Sequence, residues 1–155
     1  MSNKKRLHVG IANLSPVRVV HKLCIFPTNR NRPDKKIRKA FQNLREWVVM
    51  YGLDPETLLH IGIPTLEEKE IITYDCCIEF PLPIDDESNE IKQKTLTGGQ
   101  YAVLRIDKKP QEIGKAIRQL YGDYIPDNQI VVDESRPIYE FYYEDTMEYC
   151  VPVFA

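Results

Sequence analysis

The segment Ile138–Tyr143 has the composition of a β-strand and carries one acidic residue among aromatic ones. Side chains alternate along a strand, so Ile138, Glu140 and Tyr142 share one face and the remaining aromatic residues lie on the other. A carboxylate in such surroundings is costly unless it is paired, protonated or able to meet a cation. Each aromatic face attracts a cation by about 0.5–2 kcal/mol. Glu140 is therefore our first candidate for binding a lipophilic cation; the alternative is an exposed glutamate that pairs with a lysine.

Further aromatic residues could line the same site. Trp47 and Tyr51 lie one turn apart at the end of a predicted helix, and Tyr121 lies at the end of a second one. We expect Tyr121 and Tyr142 to line a pocket and Tyr51 to lie in the core, and we leave Trp47 open between core and pocket wall. A tyrosine hydroxyl beside Glu140 could also polarise a substrate while the carboxylate takes a proton from water. The candidate ligand-binding residues are Glu140, Tyr142, Trp47, Tyr121 and Tyr51, and Glu140 with Tyr142 would form the catalytic pair of an enzyme.

Other kinds of site find little support in the sequence. The histidines His8, His21 and His60 lack metal-ligand spacing, so we predict no metal site. The motifs that mark nucleophile elbows, phosphate-binding loops and dinucleotide-binding turns are missing, so we expect no cofactor.

Four cysteines, Cys24, Cys76, Cys77 and Cys150, show no C-x-x-C spacing. The simplest prediction is that all four are buried, small apolar residues. A metal or redox role is the alternative.

The net charge and the hydropathy of the chain limit the classes of binding partner that we expect. A net charge of −2 over 155 residues argues against broad nucleic-acid binding, which usually needs a basic face. The chain has no apolar run long enough to span a bilayer, and its start lacks the apolar stretch of a secretory signal. We therefore predict a cytoplasmic protein that binds neither nucleic acid directly nor a membrane.

Two charged stretches are ambiguous. The basic run Arg30–Lys39 suits either phosphate binding or a solvated helix face, and we favour the solvated face. Asp75 and Glu79 are expected on a solvated strand face.

One helical pattern occurs twice. Ile37-x-Lys39-Ala40-Phe41-x-x-Leu44 returns as Ile113-x-Lys115-Ala116-Ile117-x-x-Leu120, and a proline (Pro33 or Pro110) precedes each copy. Such a repeat indicates that one supersecondary unit was doubled. We predict a single domain of two repeats, about residues 5–80 and 91–153, joined by an acidic, proline-containing connector at 81–90. A cleft between the two repeats would hold the ligand.

Two segments of strand composition precede each predicted helix, two follow the first helix and three follow the second. The result is an α+β fold, a duplicated β-β-α-β-β unit with about eight antiparallel strands, two helices on one face and pseudo-twofold symmetry. Neighbouring strands in each half should pair, with turns at Ser15-Pro16 and at Thr97-Gly98-Gly99. The predicted strands are 7–13, 17–26, 58–63, 71–80, 91–96, 100–106, 129–132, 137–143 and 147–153, and the predicted helices are 33–51 and 110–121.

An ordered set of segments resembles the GyrI-like domain, the effector-binding module of AraC-type and MerR-type multidrug-sensing regulators. The segments are Gly98–Val103, Lys115–Tyr121, Tyr139–Tyr142 and Tyr149–Val153, with Tyr74–Glu79 in the first half. The resemblance spans about residues 7–153.

The resemblance implies a stand-alone domain that binds lipophilic, often cationic, small molecules in a cleft, with Glu140 as the recurrent acidic group. It also implies a role as a transcription effector domain or in sequestering a toxin or drug. Two alternatives follow from it: a hydrolase of reactive small molecules that uses Glu140 and a tyrosine, and a protein that modulates DNA gyrase by binding it.

Overall fold

The computed structural model describes residues 7–26, 34–67, 70–84 and 91–154. The chain divides into two compact units. One, here called the α1 unit, lies within residues 15–98. The other, the α2 unit, combines residues from 1–14 with residues from 99–155.

The α1 unit is a four-stranded antiparallel sheet with one long helix. Its strands lie in the order β3-β4-β2-β5. The helix α1 contacts β2 and β4 and has fully buried side chains at Leu44 and Val48. The elements are β2 (Val17–Ile25), α1 (Asp34–Met50), β3 (His60–Glu67), β4 (Glu70–Glu79) and β5 (Lys92–Leu96).

The α2 unit repeats this plan with the strand order β1-β6-β8-β7, again antiparallel. Its helix α2 packs on β6 and continues into a π-helical turn, Leu120–Tyr124, in which Leu120 is fully buried. The elements are β1 (His8–Leu14), β6 (Gly99–Asp107), α2 (Pro110–Gln119), β7 (Tyr139–Tyr142) and β8 (Thr146–Pro152).

These elements confirm the predicted α+β class and the sequence order of two β-β-α-β-β halves, with eight strands among the described residues. One boundary of each helix follows from the conformational preference of a single residue. Helix α2 starts at Pro110, whose missing N–H costs nothing in the first turn. Helix α1 ends just before Gly52, which takes a φ of +86° that most other residues would resist. Pro33, the predicted start of α1, lies outside the described residues.

The predicted pairing of neighbouring strands holds for β3–β4 and β7–β8 but is wrong for the first two strands of each half. Strand β1 pairs with β6, while β2 pairs with β4 and β5. A two-residue type I′ hairpin needs positive φ at both central positions, and Pro16 fixes φ near −65°. Of Gly98 and Gly99, only Gly99 has a positive φ, at +124°.

A second correction concerns residues 129–132, which do not form the predicted strand. Val132 makes only an isolated bridge to Val153. The loop around it is held by Asp133, whose carboxylate accepts hydrogen bonds from Ser135 and from Arg136 Nε, at 2.8 Å for the arginine. Side-chain hydrogen bonds of this kind compete with strand pairing.

The solvated face predicted for Asp75 is wrong. Its residue is only 6% exposed, and its carboxylate accepts hydrogen bonds from His21 Nδ1 at 2.9 Å and from Lys94. His21 comes from β2, which pairs with β4, and Lys94 comes from β5 on the far side of β2, a strand order that the sequence pattern did not reveal. Glu79 is half-buried and accepts the N–H of Leu59.

Two other predictions are confirmed where the structure describes the residues. All four cysteines are buried and free. In the basic run, the side chains of Lys35, Lys36, Arg38 and Lys39 are exposed on α1, and residues 30–33 lie outside the described ranges.

Candidate functional site

Strand β7 alternates as predicted. Tyr139 and Phe141 are buried, whereas Glu140 and Tyr142 are half-buried on the opposite face. The Tyr142 hydroxyl donates a hydrogen bond to Glu140 Oε1 at 3.0 Å. Glu140 is thus half-buried rather than exposed, and a tyrosine hydroxyl lies beside it.

A buried tyrosine that we did not select from the sequence completes this arrangement. Tyr149 lies directly opposite Glu140 in the β7–β8 ladder, so the two side chains share a face. The hydroxyls of Tyr149 and Tyr121 are 2.9 Å apart, and the two rings meet edge to face at 6.2 Å. Glu140, Tyr142, Tyr149 and Tyr121 thus form one connected group, the tyrosine–glutamate cluster. The signal for Tyr149 was the alternation of polar and apolar residues over 146–149, which becomes useful only once the register with β7 is known.

The local electrostatics keep the Tyr149 hydroxyl protonated. Burial raises the pKa of Tyr149 far above its usual range, and the contact with Tyr121 and the charge of Glu140 add to the rise. Burial also raises the pKa of Tyr121, against a smaller opposing effect of the hydrogen bond with Tyr149. Both phenols are therefore neutral hydrogen-bonding groups over the physiological pH range.

The surroundings of the cluster are apolar. Tyr149 belongs to a buried core group with Leu104, Met147 and Val151, and Ile138 and Tyr142 pack against that group. Side chains of α2, including Ile113 and Ile117, cover the same group. The carboxylate of Glu140 therefore lies on the face of the sheet that α2 covers, beside hydrocarbon and aromatic surface.

One cation already approaches an aromatic face of the cluster. Lys108 Nζ lies 5.9 Å from the centre of the Tyr142 ring. This is within the distance at which a ring attracts a positive charge. The arrangement combines a carboxylate, phenol hydroxyls and an aromatic face that can accept a cation.

A family model described as the GyrI-like small molecule binding domain matches residues 9–153. The chain belongs to this family. The resemblance stated from the sequence is thereby confirmed, and small-molecule binding is the activity of the family by its description. No curated protein matches the chain.

Solved structures share the fold of this GyrI-like domain. EcmrR in its cryo-EM complex with DNA matches with a TM-score of 0.74 and 14% identity over 95% of this chain, which spans 57% of that chain. SAV2435 bound to tetraphenylphosphonium matches with a TM-score of 0.60 and 17% identity, over 96% of this chain and 94% of that one. A hydrolase from Listeria innocua matches with a TM-score of 0.65 and 9% identity, over 98% and 94%. Identities this low show a common fold and no more.

Two predicted site residues of the GyrI-like domain lie in the α1 unit. The rings of Trp47 and Tyr51 are 4.2 Å apart, and both meet the buried Phe80 edge to face, at 5.1 and 5.9 Å. Trp47 is half-buried. Tyr51 is 45% exposed, so the expectation of a core position for it is wrong: it follows the last turn of α1, where one side of the ring faces water. The assignment of both residues to a ligand site stays a prediction.

The described ranges of the domain contain neither a metal site of three or more side chains nor a membrane-spanning helix. No group of three or more His, Cys, Asp or Glu residues there could hold a metal ion. Within the same ranges, no helix has the length and apolar character needed to cross a membrane.

Proposed function

We propose that this domain binds lipophilic cations at the tyrosine–glutamate cluster, with Glu140 as the charge complement and Tyr142, Tyr149 and Tyr121 as aromatic contacts. The observation that supports the proposal is the half-buried carboxylate of Glu140 held by a tyrosine hydroxyl beside an apolar core group. The SAV2435 structure, of the same fold, contains tetraphenylphosphonium, a lipophilic cation.

The physical case rests on partial desolvation. A half-buried carboxylate has lost part of its water and interacts with a nearby cation more strongly than an exposed one does. Apolar groups on the cation gain by leaving water, at about 25 cal/mol per Å² buried. A hydrated inorganic cation lacks the second contribution and a neutral aromatic molecule lacks the first. The site should therefore prefer molecules that are both charged and apolar.

The test measures tetraphenylphosphonium binding by isothermal titration calorimetry with wild type and Glu140→Gln. The glutamine keeps the shape and removes the charge, so we expect affinity to fall by about tenfold or more, or about 1.4 kcal/mol. Neutral triphenylphosphine oxide should lose much less. Glu144→Gln is the matched control, because Glu144 is exposed and the variant changes the net charge equally. Equal tetraphenylphosphonium affinity in wild type and Glu140→Gln would contradict the proposal.

Hydrolysis of reactive small molecules is a second candidate, favoured by the hydrogen bond from Tyr142 to Glu140. In this mechanism Glu140 takes a proton from water, and the water oxygen bonds to an electrophilic carbon as the bond from that carbon to its leaving oxygen breaks. A tyrosine hydroxyl donates a proton to the leaving oxygen, and the proton held by Glu140 then returns to the tyrosinate. Styrene oxide is a suitable probe, with product formation followed by chromatography. Turnover by wild type but not by Glu140→Gln would establish the enzyme. Binding of tetraphenylphosphonium without any turnover of such electrophiles would leave the binding function alone.

A further inference from the structure

Two thiols meet beneath α1. Cys24 on β2 lies opposite Tyr74 of β4, and Cys76 on β4 lies opposite Lys22 of β2. The two cysteines are therefore diagonal neighbours on the same face of the sheet. Both residues are buried.

The first turns of α1 fix the positions of both sulfurs. Cys24 Sγ lies 3.9 Å from the carbonyl oxygen of Lys36, and Cys76 Sγ lies 3.9 Å from that of Ile37. These carbonyls belong to consecutive residues, so both thiols converge on one point of the helix. Cys77 follows Cys76 and lies on the opposite face of β4, with its sulfur near the carbonyl of Asp75. Cys150 belongs to the α2 unit, with its sulfur near the carbonyl of Glu148.

Lysine charges lie near one of the two thiols. Burial raises the pKa of both cysteines, that of Cys76 far above its usual range, and the charge of Asp75 adds to both rises, whereas the charges of Lys36 and Lys22 act in the opposite direction at Cys24. The Lys36 ammonium is held close by, because it donates a hydrogen bond to the Ile25 carbonyl at 2.8 Å. A negatively charged group at the sulfurs would therefore be partly compensated.

The diagonal arrangement disfavours a disulfide. Diagonal neighbours have Cα atoms about 7–8 Å apart, whereas disulfides need about 4.4–6.8 Å. A metal ion between two sulfurs spans a longer distance than a direct bond between them. Thiolates prefer soft metal ions, and two of them suffice for a monovalent ion of linear geometry.

We propose that Cys24 and Cys76 form a two-coordinate site for a soft monovalent cation of the Cu(I) class. On binding, each thiol gives up its proton, both sulfurs bond to the metal ion, and no electron is transferred. Lys36 and Lys22 partly compensate the resulting charge of −1. The site lies wholly within the α1 unit and does not depend on Glu140.

Silver(I), a redox-inert analogue of Cu(I), provides the test. It is added in stoichiometric amounts both to the reduced, folded protein and during refolding from urea, so that slow entry to a buried site does not obscure binding. After gel filtration, native mass spectrometry counts the metal. We expect one Ag(I) per chain in wild type, none in Cys24→Ala or Cys76→Ala, and one in the matched controls Cys77→Ala and Cys150→Ala. Absence of Ag(I) from wild type, or equal loss in all four variants, would overturn the proposal.

A second measurement applies if the alanine variants do not fold. Wild type with bound Ag(I) is unfolded and alkylated at once, and peptide mapping identifies the protected cysteines. Protection of Cys24 and Cys76 together supports the site, and protection of any other pair overturns it.

Discussion

The strand pair β7–β8 of the α2 unit corresponds to the strand pair β3–β4 of the α1 unit. In each pair, a tyrosine of the second strand lies opposite a residue of the first strand. In the α2 unit Tyr149 lies opposite Glu140. In the α1 unit Tyr74 lies opposite Pro64. The sequence offset that relates the helical repeats, Ile37 to Ile113, also relates Pro64 to Glu140.

The two tyrosines use their surroundings differently. The Tyr149 hydroxyl meets Tyr121 in the π-helical turn that follows α2. The Tyr74 ring lies over Gly62, where a Cβ atom would overlap the ring and its hydroxyl. The position related to Gly62 by the same offset is Ile138, which packs against the core group of the α2 unit. Both units therefore share this strand pair, but only the α2 unit has a carboxylate, that of Glu140, at this position. This is expected if the acid serves binding rather than folding.

The largest expected effect tests whether the hydrophobic cores of the two units are equally well packed. Leu44 and Leu120 are related by the repeat, and both are fully buried. Each change to alanine removes buried methyl groups and leaves a cavity, so Leu44→Ala and Leu120→Ala should each lower the free energy of unfolding by about 3 kcal/mol. Urea unfolding measures this. Leu82→Ala, at a half-exposed site, is the control and should cost less than about 1 kcal/mol. A small loss at only one of the two buried sites would contradict equivalent packing.

A smaller effect is expected where the two units differ in shape. Gly62→Ala forces the buried Tyr74 ring to move, and overpacking of this kind costs about 2 kcal/mol. Gly10→Ala is the matched control, because Gly10 also lies in a strand, has open space where a Cβ atom would be added and has no positive φ. It should change the free energy of unfolding by less than about 0.5 kcal/mol.

The close approach itself can be checked by rescue. In a Tyr74→Leu background the ring is gone, so the added methyl group of Gly62→Ala should cost much less than it does in wild type. Equal costs in both backgrounds would show that the glycine is required for its backbone and not for the space it leaves.

The sequence predicted the framework better than its pairings. Apolar spacing located both helices, and β composition located the eight strands of the described residues together with one false strand at 129–132, because these signals depend on near neighbours. The pairing of β1 with β6 depends on contacts between residues far apart in the sequence. Among local signals, only Pro16 argues against the expected hairpin of β1 and β2.

The same distinction applies to the candidate site. Period two placed Glu140 and Tyr142 together within one strand, and the structure has them hydrogen-bonded. Tyr149 joins them only through the β7–β8 register, and Asp75 meets His21 and Lys94 only through two further strands. Residues that meet across strands could not be paired from one sequence without knowing the register.

The smallest effect concerns two acidic residues, one in each unit. Burial acts to raise the pKa of Asp75, but hydrogen bonds from His21 and Lys94 outweigh it, so the pKa lies below the usual 3.8. In the α2 unit, hydrogen bonds from Ser135 and Arg136 lower the pKa of Asp133 to about 2. A lowered carboxyl pKa stabilises the fold above the unfolded value, and this stabilisation is lost as the pH falls through the folded value.

Asp75→Asn should therefore lower the free energy of unfolding by about 1 kcal/mol at neutral pH and flatten its decline in acid. Urea unfolding from about pH 7 to about pH 3 measures both quantities. Asp133→Asn should flatten the acid decline as well, whereas Asp127→Asn, an exposed control in the α2 unit, should leave the decline as in wild type. An acid decline in Asp75→Asn as steep as in wild type would show that the ion pairs of Asp75 exist without stabilising its unit. The α2 unit would then hold the only carboxylate of this pair that is coupled to folding.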